Sequence, residues 1–206
     1  MPTAPILTDS LVRLEPLAIR HASALADAAA IDRAAYGYTS VPDGSRQADD
    51  YVAAALAQAQ AGEALPYAVI LATTGRVVGT TRFFDFGWPD QGRRGPEPQV
   101  AELGQTWYAA DVQRTGVNTA CKLLLLGLAF DRWRALRITL KTDARNARSR
   151  TAIERLGARF EGIRRLHLPA TDGTVRDTAY YSIVTAEWPA VRARLTEKQR
   201  RHATAG

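Results

Sequence analysis

The chain reads as a mixed α/β (α+β) fold on a mostly antiparallel central sheet flanked by helices. Three observations carry this. Apolar–polar alternation marks several short strands, alanine- and leucine-rich stretches mark helices between them, and one strand–helix–strand unit lies mid-chain with hairpins on either side. A crossover of that kind makes a parallel strand pair, whereas hairpins make antiparallel pairs, so both belong to one sheet. No repeat, low-complexity tract or linker divides the chain, and a single domain over residues 1–206 is expected.

Leu11 to Leu17 alternates and opens the sheet. Ile19–Ile31 and Ser45–Gly62 are alanine-rich and predict helices, the second introduced by Asp43-Gly44-Ser45. Pro66–Ala72 and Arg76–Phe86 are strands joined at Thr73-Thr74-Gly75. Gly87 to Gln99, rich in proline and glycine, is a long irregular loop of the kind that often carries function. Val100–Tyr108 is the next strand, then a polar turn and an apolar helix to about Asp131. Leu136–Thr142 alternates again, and Asn146–Leu156 is a helix closed by Gly157. Arg159–Leu168 and Thr178–Thr185 make a hairpin around Asp172-Gly173, and a helix from Trp188 to about Arg200 ends the series.

Composition narrows the function. At 206 residues and 46% hydrophobic content the chain can bury a full core. No apolar run is long enough for a membrane span. Met1-Pro2-Thr3-Ala4-Pro5 has no apolar export core, so cytoplasmic residence is expected. The lone Cys121 precludes an internal disulfide, and His21, His167 and His202 have no ligand spacing, so no metal is expected. The charge of +6 suits an anionic partner. The basic tail Arg192–Arg201 reads as a solvated helix face without an accompanying nucleic-acid motif, and nucleic acid is not the expected partner.

The most informative segment is the turn Gln113-Arg114-Thr115-Gly116-Val117-Asn118 and the helix it launches. A helix start presents free N–H groups and the positive end of a dipole, which together attract phosphate. Gly116 permits close approach, Arg114 adds charge, and Asn118 and Thr119 can cap the helix. The P-loop and dinucleotide glycine patterns are both absent.

Gln113-x-x-Gly116-x-Asn118 resembles the pyrophosphate loop of the GNAT acetyltransferases, and the segment beyond it strengthens the likeness. Asn146-Ala147-Arg148-Ser149 followed by Leu156-Gly157-Ala158-Arg159-Phe160-Glu161-Gly162 resembles the RimJ/RimL-type (ribosomal-protein N-acetyltransferase-like) branch. So do Glu102-Leu103-Gly104 and Asp177-Thr178-Ala179-Tyr180-Tyr181-Ser182. The likeness covers about Leu7 to Leu195 and implies a GNAT fold with a splayed central strand pair. It implies acetyl-CoA as co-substrate, its pyrophosphate on the amides of Arg114 to Asn118 and its pantetheine and thiol against Asn146 and Ser149. Asn146 reads equally as a helix cap. The loop departs from the pattern at Asn118, and the tyrosine acid of many relatives is replaced by Ile153.

Transfer to a primary amine needs a proton acceptor, an oxyanion site and a proton for the departing thiolate. Amides near Trp107 and Tyr108 are the expected oxyanion donors and Glu102 the candidate base, with pairing to an arginine or ordering of the acceptor as its competing role. Strict alternation sets Glu102 with Gly104, Thr106 and Tyr108, opposite Trp107, unless a bulge intervenes. Ser149 is the candidate thiolate partner, ahead of Tyr181. Tyr36, Tyr38, Arg93 and Arg94 lie in segments expected to frame the acceptor, a small amine or a polypeptide N-terminus. Competing readings are a non-catalytic acyl-CoA-binding or sensing module and an RNA- or ribosome-associated protein using its basic tail; a homodimer fits the family.

Overall fold

The computed structural model describes residues 3–90, 92 and 95–204. It places β1 at Leu7–Thr8, β2 at Val12–Pro16, α1 at Ala22–Ala30, α2 at Gly44–Gln60, β3 at Ala64–Leu71 and β4 at Val77–Gly87. There follow β5 at Val100–Tyr108, α3 at Val117–Gly127, β6 at Arg137–Asp143, α4 at Ala147–Leu156, β7 at Arg159–Pro169, β8 at Val175–Val184 and α5 at Trp188–Thr204. The strands form one sheet in the order β1-β2-β3-β4-β5-β6-β8-β7. Only β5 and β6 run parallel, as the crossover through α3 requires.

The sequence misses β1, which is too short to show an alternation. It starts β8 three residues late, because Arg176 and Asp177 interrupt the apolar pattern. Beyond Gly127, α3 continues as one π turn over Leu128–Arg132, with Trp133 N–H reaching back to Leu128 O.

Helices cover both faces. Arg82 of β4 reaches Gln58 of α2 at 2.8 Å, while its neighbour Thr81 points the other way to Lys122 of α3. Leu103, Phe83, Ile138 and Leu125 belong to the core, whose apolar area removed from water supplies the main driving force.

Candidate active site

The site begins with a fault in β5. Phe84 pairs with Glu102, Phe83 with Leu103 and Arg82 with Gly104, but Thr80 pairs with Trp107 and Gly79 with Tyr108. β4 keeps unbroken register with β3 over Gly79–Phe84, so the extra residue belongs to β5. Gln105 marks this β-bulge with a left-handed φ of 46°. The inserted residue reverses the alternation. Trp107 joins Glu102 and Gly104 on the α1/α2 side, and Thr106 and Tyr108 turn toward α3. This corrects the strict-alternation reading.

The second fault is a gap. β5 and β6 pair only through Val100–Arg137, Ala101–Ile138 and Glu102–Thr139. From there β5 stays on β4 and β6 stays on β8, so the central strands part. Ala109 N–H donates to Val78 O on β4 at 2.7 Å. Peptide directions alternate along a strand, so Tyr108 and Thr106 turn their backbone groups away from β4, toward the gap. Gln113 Nε2 donates to Tyr108 O at 3.0 Å, tying the polar turn to the end of β5.

In that turn the left-handed residue is Arg114, with φ 64°, while Gly116 is already helical. Asn118 and Thr119 do not cap α3. The helix begins at Val117, whose N–H donates to Thr115 Oγ1 at 3.3 Å; that hydroxyl donates to Val112 O at 2.6 Å. Asn118 instead accepts from the Tyr108 hydroxyl at 3.1 Å, and Thr119 is buried. Across the gap, Asn146 Oδ1 accepts Ser149 N–H at 3.0 Å and is the cap of α4. Arg148 spans the opening: it donates to Gln113 Oε1 at 3.1 Å and to Ala35 O. The turn before α3 and the start of α4 therefore meet at one place.

Glu102 is 3% exposed, with Lys141 Nζ 2.8 Å away. Burial raises the carboxyl above the ordinary glutamate value, and the hydrogen bond from Lys141 opposes that shift. Lys141 lies 5.5 Å from the centre of the Phe84 ring and 5.9 Å from that of Tyr180, so the pair is walled by aromatic faces. Tyr181, the alternative thiolate partner, accepts from Arg150 Nε at 2.9 Å and donates to Glu154 at 3.1 Å.

Tyr36 is buried edge-on against Trp107, its hydroxyl donating to Ala28 O at 3.4 Å, so it backs the site. Trp107 is 3% exposed and its indole N–H has no hydrogen-bond partner. Tyr38 is 41% exposed beneath the Arg145 guanidinium. Arg145 also binds Asp143 and Asp172, and Thr171 Oγ1 donates to Gly37 O at 3.0 Å. The early loop thus touches the β7–β8 tip. Arg93 and Arg94 lie outside the described residues. Among the described residues no cluster can hold a metal ion, and no helix is long and apolar enough to cross a membrane. Lys141 and Arg148 were missed because one reads as the polar phase of a strand and the other as a surface residue between the two motif positions.

A bulged strand, a gap beside it and a turn feeding α3 define an acyltransferase fold. The chain belongs to the GNAT acetyltransferase domain family, whose model matches residues 12–159. No curated protein matches it. Among solved structures it resembles a GCN5-related N-acetyltransferase from Brucella melitensis, at 28% identity over 96% of this chain and 86% of that one, TM-score 0.81. It resembles Mycobacterium smegmatis RimJ in complex with CoA-disulfide at 23% identity over 95% and 94%, TM-score 0.76. It also resembles the ribosomal-protein-S5-alanine acetyltransferase of Vibrio fischeri at 15% identity over 89% and 98%, TM-score 0.68. The last two likenesses bear on the fold.

Proposed function

We propose that this chain is a RimJ/RimL-like N-acetyltransferase that moves acetyl from acetyl-CoA to a primary amine by direct attack in a ternary complex. The parting of β5 from β6 after Glu102–Thr139 carries the reading. The substrate's pyrophosphate would lie on the amides of Arg114 to Asn118. Its pantetheine would run through the gap beside Trp107, Tyr108, Asn146 and Ser149, with Gln113 and Thr119 supporting that wall. The amine nitrogen attacks the thioester carbon, the C–N bond forms and the C–S bond breaks. Glu102, directly or through a water, takes the ammonium proton before attack; the Tyr108 amide binds the oxyanion, and the second nitrogen proton is lost to water as the intermediate collapses. The thiolate leaves beside the Ser149 hydroxyl. The chain is proposed to work as one domain in the cytoplasm, with a homodimer as its assembly.

The acceptor would approach between the early loop and the β7–β8 tip, past Tyr38, with Tyr36 behind. Arg164 and Arg176 share the Glu102 side of the sheet through their register with Thr178 and Leu168. The Arg176 charge is felt at both Glu102 and Asp143. These cations favour an amine bearing a nearby carboxylate, an amino acid or an acidic polypeptide end, over a polyamine.

Mixing acetyl-CoA with such amines should release free thiol, with an acid limb of kcat/KM above the ordinary glutamate value that disappears in Glu102→Gln. Calorimetry showing no heat with acetyl-CoA at millimolar concentration would end the proposal. The engagement of Glu102 by Lys141 favours one second reading, an acyl-CoA sensor. Cofactor binding without thiol release across a broad amine and peptide panel would select it.

A further inference from the structure

One buried charge takes no part in the chemistry above. Lys122 on α3 is 4% exposed, buried with Cys121, Leu125 and Leu126 of the same helix. Its Nζ donates to Thr106 Oγ1 at 2.8 Å and to Thr81 Oγ1 at 3.3 Å, and those two hydroxyls are 2.7 Å apart. Among the described residues no carboxylate pairs with it, and besides burial Cys121 is the group that bears on it. The titratable groups around it are Cys121 on its own helix and Tyr108 on β5, both held protonated by burial. A lysine desolvated without an ionic partner costs stability, and apolar residues of similar volume are the cheaper solution. Burial accordingly lowers its pKa to about 8. A feature kept against stability calls for a functional explanation.

Its position supplies one. Thr106 follows the left-handed Gln105 of the bulge, and its backbone faces the same gap as the Tyr108 amide. Lys122 therefore grips, through Thr106, the part of β5 on which a thioester in that gap would rest.

We infer that Lys122 is a positioning residue for acetyl transfer. Its ammonium fixes the β5 bulge through Thr106 and Thr81 and places a positive charge beneath the gap, where the oxyanion and the departing thiolate develop negative charge. The inference rests on the thioester occupying that gap. In low dielectric such a charge acts over several ångströms without touching the substrate.

The test compares the full chain with Lys122→Met. Acetyl-CoA affinity should stay within about threefold, while kcat falls at least about tenfold, the range set by loss of one electrostatic support. The fall of kcat on the alkaline side, as Lys122 loses its proton, should be present in the parent and missing from the variant. A kcat within twofold of the parent and an unchanged pH profile would overturn the inference. If the variant does not fold, Thr106→Val severs the main contact and should lower kcat in the same direction; an unaltered kcat there refutes the inference equally. A readout independent of turnover is calorimetric binding of free coenzyme A near pH 8.5 in buffers of different ionisation heat. The parent should take up a fraction of a proton that Lys122→Met does not, because the anionic cofactor favours the ammonium. Binding without proton uptake overturns this inference alone, whereas no binding at all removes the acetyl-CoA reading beneath it.

Discussion

Two lysines approach β5 from opposite faces, and their surroundings could hardly differ more. Lys141, on the α1/α2 side, is 18% exposed and paired with Glu102 between aromatic rings. Lys122, on the α3 side, is more deeply buried and held by two threonine hydroxyls. The first balances a charge that the sheet has already buried; the second is itself the unbalanced charge. Both lysines are hydrogen-bonded, yet desolvation gives their contributions to stability opposite signs.

Substitution should expose that opposition. Lys141→Met strands the Glu102 carboxylate and should cost about 3–5 kcal/mol in urea unfolding at pH 7; Glu102→Gln combined with Lys141→Met should recover much of it. Equal losses in the single and double variants would show that the two groups are not coupled. Lys122→Met should do the reverse and stabilise by roughly 3 kcal/mol at neutral pH, the scale of its shift from 10.5 to about 8. The sign follows from linkage. Below about pH 8 both folded and unfolded chains hold the proton, and the fold carries the full burial cost. Between there and 10.5 the folded chain releases it first, so parent stability should climb across that window and the variant's should not. A flat parent profile would remove the contrast.

Smaller effects sharpen the picture at the edge of the gap. Asn146→Ala removes the α4 cap and should cost about 1 kcal/mol. If Asn146 also holds pantetheine, acetyl-CoA KM should rise several-fold, and an unchanged KM would leave only the cap. Tyr108→Phe deletes the bond to Asn118 and should cost about 0.5–1.5 kcal/mol, with acetyl-CoA affinity unchanged because the backbone amide is the proposed contact.

Most of the fold was legible in the sequence because strand alternation, alanine-rich helices and hairpin turns are local signals. The turn at Gln113–Asn118 and the Asn146–Ser149 pair were legible as motifs. The facing of β5 was not: Gln105 is neither glycine nor asparagine, so nothing local announces a left-handed bulge, and one inserted residue moves Trp107, Thr106 and Tyr108 to faces opposite those expected. Nor did the cap of α3 follow the usual residue preference, since Thr115 reaches Val117 from before the helix. Lys122 did leave a trace, as the one charge within Ala120–Leu126, but a lysine on a helix ordinarily snorkels to water. Only the three-dimensional packing shows that this one has nowhere to go.

Gly79 settles which half of the sheet can yield. Its φ is 156°, and a Cβ there would stand 2.1 Å from Trp107 O, so β4 and β5 are pressed together where only hydrogen fits. On its other edge β5 is joined to β6 by three residue pairs. Any widening needed to admit a guest should therefore fold the β6–β8–β7 leaf outward along a crease at Glu102 and Thr139, while the β1–β5 leaf stays rigid. Amide hydrogen exchange should then quicken first along Leu140–Asp143, leaving the Gly79 side protected.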